Sequence, residues 1–109
     1  MSPLETFISS HPVFSSLQPA ELVSLIRLGG SKRFSKGGVI IQQGEVWPVL
    51  FIVMNGQVLA QKASTEGRNL IVTNLGQGDL FWGLAFFQEE TPMPVSLEAS
   101  EDTQLYLWQ

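Results

Sequence analysis

The sequence predicts a mainly β fold, a sandwich or jelly roll with its helices gathered at one end. Three observations carry this. Helical periodicity is confined to residues 1–30. Beyond them, strand-length runs of β-branched and aromatic residues follow one another. Turn-forming glycines separate these runs at intervals of roughly ten residues. The chain has 109 residues, 44% of them apolar, enough to fill one compact core and too few for two, so a single domain over 1–109 is expected.

In the helical segment, Gln18-Pro19-Ala20-Glu21 puts proline at a first helical position, where its missing N–H costs nothing. Glu21 stands three residues after Gln18, within reach of the free amides. Leu22, Leu25 and Ile26 then repeat at i, i+3 and i+4, and Gly29-Gly30 offers a left-handed stop, giving a helix of about ten residues. Residues 4–9 read as a further turn or two. The roll is expected over 31–109, with seven strands at 32–35, 39–42, 49–54, 57–61, 69–73, 95–99 and 104–108. Between them lie Lys36-Gly37-Gly38, Gln43-Gly44-Glu45, Asn55-Gly56, Glu66-Gly67-Arg68 and Gln77-Gly78-Asp79, each with the chemistry of a tight turn.

Composition removes several function classes. Cysteine is absent, which excludes disulfides, thiolate metal sites and thiol nucleophiles. His11 is the one histidine, so a multi-histidine metal centre cannot be assembled from this chain. Ten acidic against six basic residues give a net charge of -4, which argues against a surface that grips nucleic acid. No apolar run approaches the roughly 20 residues of a membrane span, and Met1-Ser2-Pro3-Leu4-Glu5 lacks the basic flank of a signal peptide. The expectation is a cytoplasmic protein with no membrane partner.

The order of the glycines is more specific than a generic sandwich. Phe34-Ser35-Lys36-Gly37, Ile40-Ile41-Gln42-Gln43-Gly44-Glu45, Leu50-Phe51-Ile52-Val53-Met54-Asn55-Gly56-Gln57-Val58 and Leu75-Gly76-Gln77-Gly78-Asp79-Leu80-Phe81 follow one another in the chain. Together they resemble the cyclic-nucleotide-binding domain of Crp/Fnr-type transcription regulators. His11-Pro12-Val13-Phe14-Ser15-Ser16-Leu17 and the helix after it are similar to that family's entrance, so the resemblance covers about 7–108. It implies a double-stranded β-helix jelly roll with short helices at the amino terminus and in a phosphate-binding cassette, here 81–99. In the family the cyclic phosphate meets an arginine and helix N-terminal amides, while a glutamate takes the ribose 2′-hydroxyl. Aligned without gaps to a cassette of the catabolite-activator type, the glutamate position falls on Gly83 and the arginine position on Met93. Trp82 stands where a small glycine is usual.

The charge map points the same way. Arg27, Lys32, Arg33, Lys36, Lys62 and Arg68 all precede Gly78, and the chain from Asp79 onward carries six acidic groups and no lysine or arginine. Losing a charge-assisted contact costs about 1.5–3 kcal/mol, roughly ten- to a hundredfold in affinity. Cyclic AMP is therefore expected to bind weakly or not at all, although helix N-terminal amides, or Arg68 reaching in from its hairpin, leave room for a weakly held anion.

The candidate ligand-binding residues are Trp82, Gly83, Leu84, Met93 and Ser96 in the cassette and Arg68 on the flap. Ser96 is included because the family often contacts the phosphate through a hydroxyl near this place. Trp82, Phe86, Phe87 and Met93, with Trp47 and Met54 nearby, either line an apolar effector pocket or pack the cassette onto the roll. Pro92 and Pro94 stiffen the loop around Met93. His11 reads as a capping or surface residue before Pro12, so haem is not expected, nor any other cofactor. Lys32-Arg33-Lys36 and Glu89-Glu90 read as solvated charge.

The resemblance implies a non-catalytic, effector-sensing regulatory domain, the amino-terminal part of a Crp/Fnr-like bacterial transcription regulator. Its partner is a small-molecule effector. A homodimer and promoter DNA would be engaged through a dimerisation helix and a carboxy-terminal domain that follow this segment in such regulators. Two other classes stand beside it, a vestigial protein-interaction domain and a haem or other small-molecule sensor. A cupin-like enzyme shares the architecture but needs several histidines.

Overall fold

The computed structural model describes residues 3–64, 66–82 and 91–108. Backbone contacts divide the chain into two compact units, Met1–Gly30 and Ser31–Gln109.

The first unit holds α1 (Pro3–Ser10) and α2 (Pro19–Leu28). Pro19 opens α2 as expected, and the Gln18 backbone N–H donates to Glu21 Oε1 at 2.9 Å, satisfying an amide that the helix leaves free. His11 acts as a local cap: its Nδ1 accepts the Val13 N–H at 3.1 Å, and its ring lies 5.6 Å from that of Phe14. The left-handed stop at Gly29-Gly30 is not present. Gly29 is extended (φ -103°, ψ -177°), and Gly30 already begins the first strand. The helix ends because the chain turns directly into a sheet, which needs extended backbone.

The second unit is the roll. Its strands are β1 (Gly30–Phe34), β2 (Val39–Ile41), β3 (Leu50–Asn55), β4 (Val58–Ala63), β5 (Asn69–Leu75), β6 (Leu80–Trp82), β7 (Ser96–Ala99) and β8 (Thr103–Trp108). They form two four-stranded sheets, ordered β1-β8-β3-β6 and β2-β7-β4-β5. Eight strands thus replace the seven expected. The additional one is β6, whose Phe81 and Trp82 pair with Phe51 and Leu50 where the start of the cassette was expected. Residues 91–99 form a bridge, a bend and β7, and 83–90, the rest of the expected cassette, lie outside the described residues.

All five turn glycines, Gly37, Gly44, Gly56, Gly67 and Gly78, have positive φ. Gly56 is the most constrained. A β-carbon there would lie 2.6 Å from both Asp102 O and Thr103 Cα, because the β3–β4 turn packs directly onto the start of β8. The Thr103 hydroxyl joins the two, accepting the Gln57 N–H at 3.1 Å.

The core of the roll is built by alternation. Val53, Val58, Ala60, Leu97 and Leu105 turn inward from their strands and enclose Phe51. Phe51 stacks on Phe81 with ring centroids 5.4 Å apart and tilts against Trp47 at 5.8 Å. Ile52 and Tyr106, paired across β3 and β8, are also buried, as is Trp108.

Burial raises the Tyr106 phenol above its usual 10.0, since the phenolate would lose solvent. The folded chain therefore holds this proton more tightly than the unfolded chain. Its stabilising contribution is complete below pH 10.0 and is lost as pH rises through the higher folded value. In thermal melts taken across alkaline pH, Tyr106→Phe is expected to flatten the decline in stability. An unchanged alkaline limb would contradict the buried phenol.

Candidate functional site

The inner faces of the two sheets do not close completely. A cavity of about 240 Å³ remains between them, lined among the described residues by Ala60, Val72, Thr73, Phe81, Met93, Pro94 and Val95. Each wall has a local cause. Ala60 faces inward by the alternation of β4, and its methyl leaves space a larger residue would fill. Val72 reaches the cavity through a bulge: Ala60 pairs with Thr73 and Gln61 with Ile71, leaving Val72 as the extra residue of β5. Phe81 comes from β6.

Met93, Pro94 and Val95 form the remaining wall, and backbone hydrogen bonds hold it against the Gly44 turn. The Met93 N–H donates to Glu45 O at 2.7 Å, and the Gly44 N–H donates to Met93 O at 2.9 Å. Pro92 adds a bridge to Val46. The cavity wall carries no charged side chain among these residues, and Thr73 is the one hydroxyl. Such a surface receives apolar matter and gives a phosphodiester little to replace its water.

The predicted site residues do not gather in one place. Met93 is in the cavity wall and is also part of the core, 2% exposed. Ser96 lies on the opposite face of its sheet: in β7, Leu97 and Ala99 turn inward while Ser96 and Glu98 turn out. Its Oγ accepts the Gln43 N–H at 2.8 Å, and it lines a shallow outer hollow with Gln61 and Glu98. Arg68 is exposed in the β4–β5 turn, which closes through the Ser64 N–H donating to Arg68 O at 2.8 Å. The backbone of Trp82 ends β6, and Gly83 and Leu84, like Phe86 and Phe87, lie outside the described residues.

Of the seven described lining residues, sequence reasoning named only Met93 for the site, and missed Ala60, Val72, Thr73, Phe81, Pro94 and Val95. Alternation of β4 signalled Ala60. Nothing local signalled Val72, whose placement depends on the bulge. Among the described residues, no group of three or more histidine, aspartate or glutamate side chains is placed to hold a metal ion. Nor is any helix long and apolar enough to cross a membrane.

Residues 31–109, the whole of the roll, match the family model described as "Cyclic nucleotide-binding domain". The chain belongs to this family. Among relatives of this cyclic nucleotide-binding domain, "Lysophospholipase NTE1" of Phaeosphaeria nodorum is 39% identical over 69 residues, 63% of this chain and 4% of that protein. The "CRP-like cAMP-activated global transcriptional regulator" of Mycobacterium tuberculosis is 22% identical over 102 residues, 94% of this chain and 44% of that protein. The domain thus spans less than half the length of either curated relative. Among solved structures, the sensor domain of the transcriptional regulator DNR from Pseudomonas aeruginosa superposes with a TM-score of 0.85 at 21% identity, over 95% of this chain and 69% of that one. At that identity the likeness carries the jelly-roll fold.

Proposed function

We propose that this domain is a non-catalytic, effector-sensing regulatory module that binds cyclic AMP poorly, and that it forms the amino-terminal part of a cytoplasmic Crp/Fnr-like transcription regulator. The observation that carries this reading is the apolar cavity wall. Among the described residues it offers Met93, Val95, Phe81 and Ala60 in place of a cationic clamp, with Thr73 as the single hydroxyl. The match to a CRP-like regulator over 94% of this chain supports the regulatory class. In the longer protein, a ligand that prefers one arrangement of the Met93 loop over another would bias dimer helices and DNA-binding heads supplied by other segments.

Calorimetric titration tests the reading. The expected result is no saturable cyclic AMP binding below about 10 μM. A tighter dissociation constant would require roughly 7 kcal/mol of binding free energy and would overturn it.

A further inference from the structure

A cation that the cassette argument does not include, Lys62, stands two residues along β4 from the cavity-wall residue Ala60. In β4, Val58 and Ala60 turn into the roll, and strand alternation puts Lys62 on the same face, one step further toward the hairpin tip. The β4–β7 ladder gives the same result: Ala60 opposes Leu97 and Gln61 opposes Ser96, so continuing it brings Lys62 level with Val95, a cavity-wall residue. Across the hairpin Lys62 pairs with Leu70, which is 58% exposed, and Val72 on the bulge is 57% exposed. The inner face of the hairpin therefore runs from a buried floor at Ala60 and Val95 out to exposed Leu70 and Val72, with Lys62 on the strand beside Leu70. Among the described residues no carboxylate pairs with Lys62.

We infer that the cavity takes a small amphipathic organic anion, a carboxylate on an apolar body, with the body against Met93, Val95 and Phe81 and the carboxylate outward at Lys62. This deepens the proposed function and rests on the roll being an effector pocket. The volume limits the body. An apolar protein cavity of about 150 Å³ accepts benzene. The space here, about 240 Å³, suits a body about half as large again, such as a medium-length alkyl chain or a substituted ring. The polarity order also fits: the apolar end enters first, and the charge stays where water still reaches it, so no ion is buried without compensation.

Octanoate and its neutral counterpart 1-octanol separate the body from the charge, with binding to the full chain followed by calorimetry. Octanoate is expected to bind more tightly than octanol by about two- to fivefold, the scale of a partly exposed ion pair. That advantage is expected to shrink at about 0.5 M salt. Lys62→Gln is expected to remove the advantage while leaving octanol binding and the melting temperature unchanged, because Lys62 is exposed. Ala60→Phe, which fills the floor, is expected to abolish binding of both. If octanoate and octanol bind alike, or if Lys62→Gln leaves octanoate unaffected, the anionic specificity is refuted and the apolar pocket stands. If neither binds at millimolar concentration, the amphiphile class is refuted. Tight cyclic AMP binding would instead refute the underlying reading.

Discussion

Replacing Gly56 with alanine is expected to destabilise the roll by about 2–6 kcal/mol, lowering its melting temperature by roughly 10 °C or more. Two costs combine. At φ 96° a residue with a β-carbon is strained, by about 1–3 kcal/mol. The added methyl would also stand 2.6 Å from Thr103 Cα and Asp102 O, so β8 would have to move, at a further cost of about 1–3 kcal/mol. Gly67→Ala separates these contributions, since Gly67 has φ 79° but nothing within 4 Å of its β-carbon position. It is expected to show the strain cost alone. Equal losses at the two positions would mean that the crowding against β8 is not real.

Phe51→Ala is expected to cost about 3–5 kcal/mol, a large part of the 5–15 kcal/mol that typically separates folded from unfolded states. Phe51 is 0% exposed and contacts the rings of Trp47 and Phe81, so truncation removes both ring contacts and leaves a void in the centre of the core. Phe51→Leu keeps most of the volume and is expected to cost less than about 1.5 kcal/mol. Urea unfolding checks both: the midpoint should fall in that order with the slope unchanged. A Phe51→Ala chain as stable as the parent would place the core elsewhere.

Much of this architecture was legible in the residues, and the exceptions have physical causes. The five turn glycines could be read because each sits between strand-like runs, and all five adopt positive φ. Gly29-Gly30 carried the same signal and misled, because a glycine pair permits a left-handed cap without requiring one. Strand β6 was hidden by its length: Leu80-Phe81-Trp82 is three residues with no period to detect, and its pairing to β3 is a long-range fact. The site was harder to read than the fold. Met93 and Ser96 were both taken from a cassette pattern, yet Met93 is buried in the cavity wall while the alternation of β7 turns Ser96 outward. The alternating Val95, Leu97 and Ala99 already contained that second fact. Val72 could not have been found this way, since the bulge reverses the face that simple alternation assigns.

The loop at Met93 has a mechanical consequence. Its amide and carbonyl are both spent on the Gly44–Glu45 turn, and proline on either side narrows the backbone conformations open to the loop. Two short links therefore tie the backbone of this wall to the corner leading out of β2. The innermost wall of the roll and one of its surface corners are thus a single braced piece of backbone, joined across residues about fifty positions apart in the sequence.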